Sequence, residues 1–296
     1  MMGKPVNDIE AILITGPTAS GKSALAVELA KQHGGVVINA DSMQVYDTLR
    51  VLTARPTDED MQGVPHHLYG HVPAGAAYST GLWLKDISDL VARLHDERRM
   101  PVIVGGTGLY FKALIGGLSD MPEVPVEIRT LLRRRLIDEG AEALHRELGI
   151  RDTSVAENLN PQDGQRVVRA LEVLEATGRS ISSFQGRSGP VIIDADRARK
   201  IVVLPERAVL HGRINSRFEA MLEMGAEDEV RALLALDLSP EMPVMKAIGV
   251  AQIAAMIEGR MSRAEVIETA AAATRQYAKR QMTWFRNQMD ESWERR

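Results

Sequence analysis

A chain of 296 residues, 45% of them hydrophobic, is long enough for one large domain or two smaller ones around a sizeable core. It contains no cysteine, which excludes disulfides, thiolate nucleophiles and cysteine zinc sites and agrees with a reducing compartment. A formal charge of −4 argues against a surface coated with positive charge for indiscriminate nucleic-acid binding, while leaving room for local basic stripes.

The amino-terminal Met1-Met2-Gly3-Lys4-Pro5 has no signal-peptide core. No apolar run approaches the ~20 residues of a membrane helix, so the expectation is a cytoplasmic protein with no membrane partner. The first strand, Ile12 to Thr15, runs into Gly16-Pro17-Thr18-Ala19-Ser20-Gly21-Lys22-Ser23, which fits G-x-x-x-x-G-K-[ST], and a helical pattern opens at Ala24. Strand, glycine turn and helix N-terminus aim backbone N–H groups at an anion, with Lys22 as a point charge and Ser23 as a ligand for Mg²⁺. An accidental glycine-rich turn is the competing explanation, and both flanks weigh against it. The motif calls for a pyrophosphate without saying which.

A second strand, Val36 to Ile38, delivers Asp41 to the carboxyl end of the sheet, where ligands sit in parallel α/β folds. There Asp41 can take a proton from an acceptor nucleophile or stand behind Mg²⁺, and it can equally cap a helix. Leu84, Ile87, Leu90, Val91 and Leu94 repeat at helical spacing within Leu82 to Arg98. A third strand, Val102 to Val104, ends in Gly105-Gly106-Thr107-Gly108-Leu109-Tyr110 without the acidic residue that an ATPase places there to hold metal. The glycines permit close backbone approach to a ligand, or supply positive φ for a tight turn.

From Met121 to about Asp196 the pattern is helical, broken at Pro122, Pro125 and Pro161, with a short strand at Val191-Ile192-Ile193. The sheet resumes at Lys200 to Leu204, and helices follow over Arg213 to Leu236 and Ser262 to Met289. The domains expected are a core of residues 1–120 and 197–296 around a helical insertion, 121–196, within an α/β parallel sheet flanked by helices. Two basic stripes, Arg129/Arg133/Arg134/Arg135 and Arg275/Lys279/Arg280/Arg286, are taken singly as solvated helix faces.

Together, the Gly16–Ser23 loop, Asp41-Ser42-Met43-Gln44-Val45-Tyr46, His66-His67-Leu68, Gly105 to Tyr110, Asp163 to Val173 and Thr274 to Gln281 resemble the tRNA dimethylallyltransferase family, in that family's order and over nearly the whole chain. The resemblance implies a P-loop NTPase-like core and transfer of a dimethylallyl group from dimethylallyl diphosphate to the exocyclic amine of the adenosine 3′ of the anticodon. It implies that Gly16, Pro17, Thr18, Ala19, Ser20, Gly21, Lys22 and Ser23 hold the leaving diphosphate with Mg²⁺. Thr18 would then hydrogen-bond the bridging oxygen, Asp41 take the amine proton and Arg217 face the diphosphate, for which an arginine fork suits better than a point charge. For RNA, it implies that Asp41, Ser42, Met43, Gln44 and Thr107 line a pocket for the flipped base. Gln165, Arg166, Val167, Val168 and Arg169 would meet the anticodon stem-loop, with Arg129 on that face. Arg275, Lys279 and Arg280 would track phosphates, and Lys246, in Lys246-Ala247-Ile248-Gly249, would lie on the tRNA side. The oligomeric state stays open, a monomer being the simplest case.

The chain departs from the family in Leu52-Thr53-Ala54-Arg55-Pro56, where a lysine is usual at 55, and in Tyr69-Gly70-His71-Val72, which lacks acidic residues. His66 and His67 are expected to be structural and not metal ligands. The rival readings are an ATP-dependent small-molecule kinase, a prenyltransferase of free adenine nucleotides, and an RNA-binding module without chemistry. A kinase predicts ATP turnover. The second rival needs neither insertion nor basic stripe, and the third gains nothing from Lys22 or Asp41.

Overall fold

A computed structural model describes residues 9–185 and 189–296; the amino-terminal Met1 to Pro5 lie outside the described residues. Six strands, β1 (Ala11–Thr15), β2 (Val36–Asn39), β3 (His66–His67), β4 (Pro101–Gly105), β5 (Ala198–Val202) and β6 (Glu294–Arg295), form one sheet in the order β3-β2-β4-β1-β5-β6. Every neighbouring pair is parallel. Because helices cover both faces, β1, β2 and β4 are buried at every position, which is why they read as unbroken apolar runs.

Thirteen helices are seen among the described residues. In the sheet unit these are α1 (Lys22–Gln32), α2 (Asp58–Met61), α3 (Thr80–Asp96) and α4 (Gly108–Gly116). The central helices are α5 (Val126–Glu139), α6 (Ala141–Arg151), α7 (Thr153–Ala156), α8 (Gly164–Thr177) and α9 (Ser182–Gln185). The carboxyl-terminal helices are α10 (Arg207–Glu223), α11 (Ala226–Leu234), α12 (Val250–Ile257) and α13 (Arg263–Gln288). Side chains alternate across the sheet as the pleat requires. Ala11, Leu13, Val36, Ile38 and Ile103 pack with Trp83, Ile87 and Leu94 of α3, Phe111 of α4 and Phe285 of α13. Ile12, Ile14, Val37, Val102 and Val104 pack on Ala26, Val27, Leu29 and Ala30 of α1.

Two expected elements differ. Val191 to Ile193 is no strand: the Ile192 and Ile193 N–H groups both donate to Leu114 O, at 3.1 and 3.2 Å, which leaves no ladder partner. The helix expected over Arg213 to Leu236 is two, α10 and α11, parted at Gly225, whose φ of 98° a right-handed helix does not accept.

The chain divides into two compact units, Met1–Ile115 with Val191–Arg296, and Gly116–Pro190. The second has its own core, in which Leu132 of α5, Leu144 and Leu148 of α6 and Val167, Val168 and Leu171 of α8 are buried together.

Candidate active site

The carboxyl ends of β1, β2 and β4 bring three loops together. After β1, Gly16 lies where a Cβ would meet Val203 O at 2.6 Å and Ser20 Oγ at 2.8 Å, so only glycine lets the loop turn so close to the end of β5. Ala19 takes φ 62° and Gly21 φ 91° before α1 begins. Arg213 of α10 donates from Nη1 to the carbonyls of Ala19 and Ser20, both at 3.4 Å, and so braces the left-handed turn. The Ser20 hydroxyl is buried without a hydrogen-bond partner among the described residues.

Lys22 reaches back over this loop, its Nζ 3.1 Å from Pro17 O. Burial, opposed by the Asp41 charge and aided by Arg217, pushes its ammonium down to about 8. Arg217 of α10, whose own guanidinium is pressed below its usual value by burial, donates to Thr18 Oγ1 at 3.2 Å. The expected set of Thr18, Lys22, Asp41 and Arg217 therefore shares one electrostatic neighbourhood. Ser23 is exposed on the first turn of α1.

Asp41 begins no helix: residues 42–45 form a bend and turn. Its Oδ1 accepts the Met43 N–H at 2.9 Å, and its own N–H donates to Asn39 Oδ1 at 2.9 Å. Asn39 is fully buried and is the hub of this turn. Its side-chain amide also donates to Asp41 O and Leu68 O, both at 3.0 Å, while its backbone carbonyl accepts the Trp83 indole N–H at 2.9 Å. Thr107 Oγ1 accepts from the Ser42 N–H at 3.0 Å. The hydroxyls of Tyr69, Tyr110 and Tyr277 are all pushed up, chiefly by burial and then by the Asp41 charge. The Asp41 charge thus helps to keep three phenols neutral.

The glycines after β4 do not carry positive φ. They are there for close packing: a Cβ would sit 2.0 Å from Ala40 O at Gly105, 2.4 Å from Gln281 Nε2 at Gly106 and 2.2 Å from the Trp284 ring at Gly108. Trp284 and Gln281 both come from α13.

Gln44 spends its amide hydrogens on Thr53 O and Ala54 O, at 2.9 and 2.8 Å, leaving its oxygen free of these bonds. The arginine at 55 is structural. Its Nη1 donates to Tyr46 O and Asp47 O at 2.8 and 3.1 Å, under Gly70, where a Cβ would lie 2.1 Å from it. Near the stretch after His66-His67-Leu68, Asp86 of α3 accepts from Tyr78 at 2.5 Å and lies 3.4 Å from His71. His66 and His67 form β3, are pushed down by burial, and belong to no cluster of metal-ligating side chains among the described residues.

On α13, Arg275 bonds Asn215 at 2.5 Å, and Lys279 and Arg280 are exposed along an open cavity of about 610 Å³ with Thr283 and Trp284. Lys246 pairs with Glu241 at 2.9 Å. In the helical unit, Gln165 and Arg166 are exposed and Arg129 is half-buried. Arg169 pairs at 3.2 Å with Glu172, which is 4% exposed. Val167 and Val168 are core residues whose side chains offer RNA no surface. Of the first basic stripe, Arg134 and Arg135 are engaged by Asp138, Glu139 and Glu147, as a solvated helix face would be. Asn39, Arg213 and Trp284 carry no role in the sequence reading; Arg213, one turn before Arg217 on α10, had the helical spacing to reveal it.

The chain matches the family described as IPP transferase over residues 44–288 and that described as isopentenyl transferase over residues 9–69. It is 74% identical over 290 residues to a tRNA dimethylallyltransferase of Rhizobium johnstonii, covering 98% of each chain. It is 75% identical over 295 residues to one of Rhizobium rhizogenes, covering 100% of this chain and 99% of the other. Among solved structures it resembles the full-length tRNA isopentenylpyrophosphate transferase of Bacillus halodurans, at 34% identity and TM-score 0.68 over 97% of this chain and 89% of that one. A eukaryotic dimethylallyltransferase acting on tRNA superposes with TM-score 0.78 at 27% identity, over 94% of this chain and 70% of the other.

Proposed function

The chain belongs to the IPP transferase family, and from that premise we propose how its residues transfer a dimethylallyl group from dimethylallyl diphosphate to tRNA. One observation carries the reading: Lys22 and Arg217 face the same loop as Thr18, and the Asp41 carboxylate lies within electrostatic reach of both cations. Cations at the loop suit a leaving diphosphate, and a carboxylate across from them suits the nucleophile.

In this reading the exocyclic amine of an adenosine 3′ of the anticodon attacks C1 of the dimethylallyl group. The C1–O bond breaks with its electron pair going to the diphosphate, and the amine proton passes to Asp41. Lys22, Arg217, the loop N–H groups and the Thr18 hydroxyl match the charge that grows on the departing oxygens, which is where preorganised donors lower a barrier. The bond from Arg217 into Thr18 Oγ1 leaves the hydroxyl hydrogen to donate onward.

Ser23 supplies one hard oxygen at the loop, and no cluster of three or more His, Cys, Asp or Glu side chains stands ready for a metal among the described residues. That donor set fits Mg²⁺ held largely by diphosphate and water. When bound, the ion neutralises leaving-group charge.

On the RNA side, the exposed Lys279 and Arg280 offer phosphate contacts, the half-buried Trp284 beside them offers an aromatic edge of the same cavity, and Gln44 offers its free oxygen to a base edge. Exposed Gln165 and Arg166 on the helical unit suit the anticodon stem-loop. A tRNA substrate supports a cytoplasmic location; among the described residues no helix is long and apolar enough to cross a membrane. The test is to incubate unmodified tRNA with labelled dimethylallyl diphosphate and, separately, with labelled ATP. Label on adenosine from the first donor alone supports the reading; phosphoryl transfer from ATP alone overturns it in favour of a kinase.

A further inference from the structure

Gln281 of α13 is 6% exposed, and its amide bridges two active-site loops that are far apart in the chain. Its Oε1 accepts the Thr18 N–H at 3.0 Å, and its Nε2 donates to Gly106 O at 2.8 Å. The orientation of this amide is forced, because a backbone N–H only donates and a carbonyl only accepts, so a flipped amide would face like with like at both ends. Gly106 has no side chain to obstruct the bridge: a Cβ there would stand 2.4 Å from Nε2 and 3.3 Å from Asp41 Oδ2.

The bridge has a consequence for Thr18. Elsewhere in a phosphate-binding loop the N–H groups face the anion, but here one is taken by protein. With its backbone fixed by Gln281 and one lone-pair direction of its Oγ1 taken by Arg217 at 3.2 Å, Thr18 must turn its hydroxyl hydrogen away from that guanidinium. We propose that Gln281 is a positioning residue for prenyl transfer, acting through Thr18 to aim that hydroxyl at the leaving oxygen while holding the loop after β4 beside Asp41. This rests on the reading of the β1–α1 loop as the diphosphate cradle.

The test is a double-mutant cycle on full-length protein with tRNA and dimethylallyl diphosphate. Gln281→Met keeps the length of the side chain and removes both hydrogen bonds. It is expected to lower kcat at least tenfold while KM for the diphosphate changes less than threefold. In a Thr18→Ala background the same change is expected to cost less than threefold, because the hydroxyl it aims is gone. Gln281→Glu retains an acceptor for the Thr18 N–H but sets a second acceptor against Gly106 O, so it too is expected to lower kcat at least tenfold. Should Gln281→Met not fold, Gln281→Glu is taken through the same cycle. Equal losses in the two backgrounds reduce Gln281 to a packing role and overturn the proposal, as does an undiminished kcat. Failure of the wild-type protein to transfer the prenyl group is a different result: it removes the functional reading itself.

Discussion

Lys22 gives the cradle a titration that can be measured without turnover. Its ammonium, pushed down to about 8 by burial against an ordinary 10.5, is charged at pH 7 and neutral by pH 9, and the charged fraction falls roughly tenfold between them. If only the charged form grips the anion, affinity for inorganic pyrophosphate falls by the same factor, about 1.4 kcal/mol. Pyrophosphate itself titrates in this range, so the quantity to follow is the difference between wild type and Lys22→Met, measured by calorimetry at pH 7, 8 and 9. The wild-type protein should also take up about half a proton on binding at pH 8, visible as a dependence of the heat on the buffer's ionisation enthalpy.

The same shift fixes a stability effect. The folded value lies below the unfolded one, so the unfolded chain holds more protons between about 8 and 10.5, and stability rises with pH across that window. Below it the buried charge costs about 3 kcal/mol, which Lys22→Met should recover in part as a higher Tm at pH 7. Parallel pH profiles for wild type and Lys22→Met, with equal Tm, would refute the assignment of a buried charge at the loop.

Asp41→Ala should cut prenyl transfer by about 10² while leaving tRNA affinity within a few fold, checked by single turnover and filter binding; equal transfer rates would remove Asp41 from the chemistry. Arg166→Ala should weaken tRNA binding and lower the slope of log K against log salt by about 1, at an unchanged Tm. Arg169→Ala should instead lower the Tm, because it strands buried Glu172 without its partner at 3.2 Å. Gly108→Ala places a methyl 2.2 Å from the Trp284 ring, and the tryptophan must shift; a changed fluorescence maximum with weaker tRNA binding is the expected result.

Much of this was legible because β-branched runs buried on both faces have few other uses, so β1, β2 and β4 stand within a residue of where the sequence put them. β5 lies two residues earlier than expected, Ala198–Val202, because its ladder with β1 begins at Ala198 opposite Ala11. The loop after β1 was legible because the motif is local: its glycines, lysine and serine lie within eight residues. What escaped were residues whose partners are remote. Asn39 reads as the tail of a strand, yet it ties Asp41 to Leu68, 29 residues on. Gln281 sits one place from an exposed arginine in a helix of mixed polarity, and only the fold reveals Thr18 263 residues away.

Arg55 shows the limit of reading charge from sequence. In the chain it looks like a cation standing in for a family lysine on an RNA-facing loop. In the fold its guanidinium is committed to two backbone carbonyls, Tyr46 O and Asp47 O, directly after the turn that carries Gln44. Gly70 makes room for it, since any side chain there would overlap the guanidinium. The Gly70 N–H in turn donates to Gln44 O at 3.0 Å. One guanidinium nitrogen, Nη1, serves both carbonyls. The substitution thus bears on the backbone that presents Gln44 before it bears on RNA charge. A charged residue's sequence position tells which loop it belongs to, and only its hydrogen bonds tell whether that charge is still available to a ligand.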